Sequence, residues 1–247
     1  MSDPFFQQDK DGSTLLSIFP FEKAWYAERK KDFKVEFVGH PLIDRFAQQK
    51  FRAPQSLGTS QKLVLLPGSR DRELRKHLPV IVEAARRLLN EQKLAVEMVL
   101  PNNQLSETAR NLVDLTGIEI IIGNLAQSLT SATAAIASSG TITMECAYFG
   151  VPTVVLYKTS WSTYALGKRF IKVKHLAMPN LLAGQEVFPE FVQHDANADN
   201  IYRAAKELLN NPERRNVIKT QLQHVISTLG EPGASHRAAR AIFSLAQ

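Results

Sequence analysis

The chain has 247 residues, 44% of them hydrophobic and 22% charged, with a formal net charge of +6. That is enough for one large domain, or one domain plus a fragment, at a composition ordinary for a globular protein. A single cysteine, Cys146, excludes an internal disulfide framework and a cysteine zinc site. No apolar run reaches the roughly 18 residues that a membrane-spanning helix needs. The excess of base favours anionic partners such as nucleotide diphosphates or an anionic lipid surface. It does not favour nucleic acid, because the basic residues are spread out and no recognised nucleic-acid motif is present.

In chain order, residues 1–13 read as a polar, disordered leader that lacks the pattern of a secretory signal. Leu15 to Phe19 is a short apolar run ended by Pro20, as in a buried strand. Phe21 to Lys31 suits a short helix carrying Trp25 and Tyr26, and Val35 to Val38 a second strand that stops at the turn Gly39-His40-Pro41. Residues 48–60 mix Gln, Ser, Gly and Pro and look like a linker. From Lys62 a regular alternation begins. Leu63–Leu66, Ala95–Leu100, Ile118–Ile122, Ala134–Ala137 and Pro152–Leu156 read as strands. Glu73–Asn90, Leu105–Thr116, Leu125–Ser131 and Thr141–Phe149 read as the helices between them. In the first of these helices Leu74, Leu78, Ile81, Val82, Ala85, Leu88 and Leu89 recur at spacings of three and four, so one face meets a core. Continuous apolar strands alternating with amphipathic helices predict an α/β fold with a doubly wound parallel sheet. Three more helices follow, over Asp199–Asn210, Pro212–Leu229 and Ser235–Ala246, the last set off by Gly230-Glu231-Pro232-Gly233.

Ligands of such sheets bind beyond the carboxyl ends of the strands, and three loops fall there. In Pro67-Gly68-Ser69-Arg70, Gly68 allows close backbone approach and Arg70 has a planar fork suited to phosphate oxygens. The same tetrapeptide is equally compatible with a plain βα turn. Ser138-Ser139-Gly140-Thr141 opens a helix, where backbone N–H groups and the helix dipole favour an anion. The Ser139 and Thr141 hydroxyls suit either helix capping or ligand contact. Glu145, one turn further on, could accept hydrogen bonds from the vicinal hydroxyls of a ribose. Gly123-Asn124-Leu125-Ala126 is the third loop, with backbone that could meet a base edge. The segment Met178-Pro179-Asn180-Leu181-Leu182-Ala183-Gly184 suits neither a helix nor a strand interior and reads as an ordered loop.

These segments carry a resemblance. Phe19-Pro20-Phe21-Glu22, Phe37-Val38-Gly39-His40-Pro41-Leu42, Leu66-Pro67-Gly68-Ser69-Arg70, Ser139-Gly140-Thr141 with Glu145, and Pro179-Asn180-Leu181-Leu182-Ala183-Gly184 occur in the order found in lipid-A-disaccharide synthases. The last is specific to that family, and the others are shared more loosely by glycosyltransferases of the two-Rossmann (GT-B) type. The resemblance implies the Rossmann-like C-terminal domain of a GT-B enzyme of lipid A biosynthesis. Its reaction would join UDP-2,3-diacylglucosamine to 2,3-diacylglucosamine 1-phosphate, releasing UDP, with no metal and no cofactor. Arg70 then corresponds to the diphosphate-binding arginine, with Gly68 and Ser69 beside it. Glu145 corresponds to the ribose-binding glutamate, Ser139, Gly140 and Thr141 to the phosphate turn, and Asn180 to a residue near the diphosphate and donor sugar. Glu186, Glu190 and Gln193 also fall on family positions.

The family's Gly-Glu-x-Ser-Gly-Asp segment, acceptor site and candidate catalytic base have no counterpart in the sequence. The expected organisation is therefore residues 1–38 as leader plus remnant of an acceptor domain, 39–229 as the UDP-sugar domain, and 230–247 as a crossing helix with no complete surface to cover. The implied partners are a UDP-sugar donor, an acylated glucosamine phosphate acceptor, and either an N-terminal half or a second copy of the chain. The implied place is the cytoplasm, at the inner membrane surface. Two other readings stay open: a non-catalytic UDP-sugar-binding half, and a different UDP-sugar enzyme of the same architecture. Trp161, Tyr164, Leu166, Phe170 and Ile171, interleaved with Lys158, Lys168, Arg169, Lys172 and Lys174, fit a core-packing helix with a basic face or a lipid-facing surface. His40, His77 and His175 lack metal-ligand spacing and read as structural or surface residues.

Overall fold

The computed structural model describes residues 14–30, 33–47, 61–159 and 175–245. The expected leader, the linker and the Trp161–Lys174 stretch lie outside them. The chain divides into two compact units. One comprises residues 1–50 with 226–247, and the other residues 51–225.

The first unit opens with a parallel βαβ element: β1 (Thr14–Ser17), α1 (Pro20–Arg29) and β2 (Lys34–Phe37), with Leu15 opposite Val35. Pro20 starts the helix because its fixed φ suits the first turn and its missing N–H is one that a helix leaves unbonded anyway. Ser17 donates its hydroxyl to the Phe19 carbonyl (2.7 Å) and to Glu22 (2.5 Å), tying the strand end to that turn. The sequence reads Gly39-His40-Pro41 as a turn only, but Pro41 opens another helix, α2 (Pro41–Ala47), which buries Leu42, Ile43 and Phe46.

The second unit holds a six-stranded, fully parallel sheet. Its strands are β3 (Gln61–Leu66), β4 (Leu94–Leu100), β5 (Glu119–Ile122), β6 (Ala134–Ser138), β7 (Thr153–Tyr157) and β8 (Glu190–Val192), in the order β5-β4-β3-β6-β7-β8. The central strands are apolar because helices cover both of their faces. Leu63, Val64, Leu65, Ala134, Ala135, Ile136 and Ala137 have no exposed surface. The helices between strands are α3 (Asp71–Glu91), α4 (Asn103–Leu112), α5 (Leu125–Thr130) and α6 (Ile142–Tyr148). In α3 the predicted stripe is buried except at Leu89, which is half-covered. Helix α4 ends at Leu112, four residues before the expected Thr116. Cys146 on α6 is buried, and burial pushes its thiol up to about 12, so it stays a protonated core residue.

The Met178–Gly184 segment corrects the sequence reading. It folds as a short helix, α7 (Met178–Ala183). Its proline sits in the first turn, where it costs no hydrogen bond, and Gly184 closes the helix in the left-handed conformation at φ 66°. The chain ends with α8 (Ala198–Asn210), α9 (Pro212–Ser227) and α10 (Ala234–Leu245).

The unit boundaries also depart from the expected 38/39 and 229/230. Residues 39–50 and 226–229 group with the N-terminal elements, and α10 has a surface to cover inside that same unit. Asp44 of α2 accepts hydrogen bonds from the N–H groups of Gly233 (2.5 Å), Ala234 (3.2 Å) and Ser235 (3.0 Å), capping α10 from a neighbouring helix. The same bonds, with Ser235 foremost, hold the Asp44 carboxyl below its usual value. Arg237 donates to the carbonyls of Val38, Glu231 and Pro232. Gly39 has φ 88°, and a Cβ there would stand 2.5 Å from the Arg237 guanidinium, so this latch requires glycine.

Candidate functional site

Strand order reverses between β3 and β6. Succession runs outward from β3 through β4 to β5 on one side and from β6 through β7 to β8 on the other. Such a switch point leaves a crevice beyond the carboxyl ends of the two central strands. Leu66 pairs with Ala137, so the chain leaves the sheet at Pro67 and Ser139 on either side of it. The two loops expected to bind phosphate therefore flank the crevice.

The β3 loop is folded onto the first turns of α3. Glu73 accepts from the Ser69 N–H (3.3 Å) and from Arg70 Nη1 (3.2 Å). Gly68 has φ 131°, and a Cβ there would lie 2.8 Å from the Glu73 Cβ, so only glycine fits. The Arg70 side chain is 81% exposed and caps nothing, leaving most of its fork open to an anion. One turn beyond Glu73, buried His77 reaches back under the loop. Its Nε2 accepts the Lys158 N–H (3.1 Å), which places the proton on Nδ1, facing the Pro67 carbonyl at 3.0 Å. Burial, the larger effect, holds the imidazole below its usual pKa and keeps it neutral.

On the other side, Ser139 donates its N–H to Leu156 (2.9 Å) and its hydroxyl to the Leu176 carbonyl (3.4 Å). Gly140 is exposed with φ 143°, and a Cβ there would meet nothing within 4 Å. Thr141 is exposed at the start of α6 and its side chain makes no capping bond. Capping, one of the two open readings of that hydroxyl, does not occur. Glu145 is half-buried in the first turn of the same helix.

Asn180, expected near the diphosphate and donor sugar, has a structural task of its own. It has no exposed surface. Its Oδ1 accepts from the N–H groups of Val187 (2.9 Å) and Phe188 (2.8 Å), and its Nδ2 donates to the Phe188 carbonyl (2.9 Å) and to Glu190 Oε2 (3.2 Å). The amide holds the chain between α7 and β8 and has nothing left over for a ligand. Glu190 in turn accepts from the Leu176 and Ala177 N–H groups (2.7 and 2.8 Å), fixing the segment that Ser139 touches. Gln193, in the left-handed region at φ 54°, accepts the Thr159 N–H at 2.9 Å and steadies the loop after β7. Glu186 is exposed. Gly123 and Asn124 are both left-handed and lie on the same sheet edge, but after the outermost strand, β5, two strands away from the crevice.

The roles of Glu73, Lys158 and His77 in holding these loops escape sequence reading. His77 and Lys158 are 81 residues apart, and no spacing rule links them. Among the described residues no helix is long and apolar enough to cross a membrane, and no cluster of three or more His, Cys, Asp or Glu side chains could hold a metal ion.

Comparison with known proteins bears on this crevice. Residues 7–243 match the family described as LpxB, lipid-A-disaccharide synthetase. The chain belongs to that family. It is 37% identical over 235 residues to the lipid-A-disaccharide synthase of Syntrophus aciditrophicus, covering 91% of this chain and 61% of the relative. It is 34% identical over 246 residues to that of Geobacter metallireducens, covering 94% and 62%. The chain thus spans about three fifths of the length of the synthases it matches.

Solved structures share the fold. A Staphylococcus aureus MnaA–UDP complex superposes with a TM-score of 0.61 at 20% identity, over 92% of this chain and 58% of that one. WaaG, a glycosyltransferase of lipopolysaccharide biosynthesis, gives 0.55 at 14% identity, over 96% and 64%. This is the parallel α/β fold that GT-B glycosyltransferases and UDP-sugar epimerases share, as the sequence of the synthase-like chain implies.

Proposed function

We propose that residues 61–225 form the UDP-sugar donor site of a lipid-A-disaccharide synthase. The reaction would join UDP-2,3-diacylglucosamine to 2,3-diacylglucosamine 1-phosphate with release of UDP. The observation that carries this reading is family membership combined with the position of two glycine-bearing loops at the switch point of the sheet. A MnaA structure of the same fold holds UDP, and a Neisseria meningitidis UDP-GlcNAc 2-epimerase holds UDP-GlcNAc, which supports the nucleotide class.

In this reading the diphosphate lies between Gly68–Arg70 and Ser139–Thr141, and Glu145 receives the ribose hydroxyls. The 6-hydroxyl of the acceptor attacks the anomeric carbon as the UDP oxygen leaves with the bonding pair, inverting that centre. Charge builds on the departing diphosphate, so Arg70 and the N–H groups around Gly140 would stabilise the transition state more than the ground state. Asn180 and Gln193 act at one remove, by holding the surrounding loops. No base for the acceptor proton is assigned among the described residues. Since the chain matches only three fifths of its relatives' length, the donor half of the reaction is what it supports best.

Calorimetric titration with UDP tests the site. Wild type should bind, and Arg70→Ala should bind roughly tenfold more weakly, the value of about one charge-assisted hydrogen bond. Equal affinities would refute the assignment of Arg70. A disaccharide-forming assay of the chain, alone and supplemented with the N-terminal part of a full-length relative, tests the reaction itself. Turnover by the chain alone would show that it carries the base that this reading does not find.

A further inference from the structure

Side-chain hydrogen bonds link the loops after β3, β6, β7 and β8 along this edge of the sheet. The β6 loop is tied to the segment before α7 through Ser139 and Leu176. The β8 loop is tied to the β7 loop through Gln193 and Thr159. What joins the β3 loop to the β7 loop, across the intervening β6, is the imidazole of His77.

We infer that His77 is a positioning residue for nucleotide binding, a neutral clamp that holds the Pro67-Gly68-Ser69-Arg70 loop in register with the Lys158–Thr159 loop; this rests on the donor-site reading above. The geometry requires the neutral ring. One nitrogen must accept from Lys158 and the other must donate to Pro67, and only the Nδ1–H tautomer does both. A second proton would turn Nε2 into a donor facing the Lys158 N–H. Both groups would then be buried donors without an acceptor, and the two loops would separate. The charged groups that bear on the ring among the described residues are Glu73, on its own helix, and Lys158, from the β7 loop. Glu73 favours the protonated ring and Lys158 opposes it, while burial, the largest influence, opposes protonation as well. His77 itself touches no part of the open crevice edge, since it lies beneath Pro67 and is 2% exposed.

Two substitutions divide the clamp. His77→Asn presents its amide where Nδ1 stands and can keep the Pro67 contact alone. His77→Gln reaches to where Nε2 stands and can keep the Lys158 contact alone. UDP affinity is measured by calorimetry from pH 5 to 8 for wild type and both variants, with thermal denaturation run alongside to separate loop register from folding. The clamp predicts that each variant binds UDP roughly tenfold more weakly than wild type near neutral pH, while melting close enough to wild type to be fully folded. It also predicts that the ratio of wild-type to His77→Gln affinity shrinks toward acid, as the imidazole protonates and the glutamine cannot. The ratio cancels the ionisation of the UDP phosphates, which is common to both. Should wild type bind UDP while both variants match it at every pH, this inference fails and the donor site stands. Should wild type bind no UDP at any pH, the donor-site reading fails and the inference goes with it.

Discussion

The two units of the chain are built on opposite terms. In residues 61–225 the central strands are sealed on both faces, with Leu63, Val64, Leu65 and Ile136 wholly inaccessible. In residues 14–47 and 226–245 a two-stranded sheet carries a helix, α1, that buries none of its residues. Phe21 and Trp25 of α1, and Ile242, Phe243 and Leu245 of α10, remain exposed. That smaller unit has a modest apolar cluster, with Val38, Phe46 and Leu229 buried, and polar bonds tie its elements together: the Ser17–Glu22 bond, the Asp44 cap on α10, and the Arg237 fork on three carbonyls. The larger unit is organised by apolar burial and uses polar bonds chiefly at its loops. Stability and site-building are thus carried by different residue types in different places, and mutations should sort accordingly.

The largest effect is expected at the centre of the sheet. Leu65→Ala should cost about 2–5 kcal/mol in chemical denaturation of the chain, because a sealed, helix-covered strand cannot collapse around the cavity. A loss under about 1 kcal/mol would mean that the larger unit is looser than its burial implies, and the contrast would dissolve.

The sequence makes this part of the contrast legible. Apolar runs such as Leu63–Leu66 and Ala134–Ala137 announce a buried parallel strand, and the three-and-four spacing along α3 announces its inward face. Shorter elements escape for a physical reason. Pro41 and Pro179 read as breakers, yet each sits in the first turn of a short helix, where proline is at home. The three-residue β8 is too short to show any period. At the candidate site the glycines and Arg70 are visible because their local chemistry is distinctive. The roles of Asn180, His77 and Glu190 are not, since they depend on partners that folding alone brings near.

A smaller effect is expected at the polar latch of the first unit. Asp44→Asn should cost about 1 kcal/mol at neutral pH, no more than an ordinary helix cap, because water reaches this carboxylate. Its sign with pH follows from the depressed pKa. The stabilisation is complete above the unfolded value of 3.8 and is lost as pH falls through the lower folded value. The difference between wild type and Asp44→Asn should therefore narrow in acid. A difference that is constant with pH would show that the charge is not what holds α10.

The smallest effect belongs to the exposed apolar positions. Phe243→Ser removes a ring that is 73% exposed and should move the thermal midpoint little, within about 0.5 kcal/mol. A clear destabilisation would show that the Phe243 ring packs against something in solution, and would sharpen the smaller unit's likeness to the larger one.

The buried amide of Asn180 carries a separate consequence. Two donors and two acceptor positions are all matched, three of them by main-chain groups and one by Glu190. Aspartate would bring a second negative charge up to Glu190 with no hydrogen to offer, and glutamine would carry the right groups one carbon too far. Of the twenty side chains, one fits. A replacement here should loosen the segment between α7 and β8, and any loss of binding that followed would look like that of a residue in contact with substrate. The vocabulary of a short signature thus mixes two alphabets, one addressed to the ligand and one to the chain itself, and the spelling alone does not tell them apart.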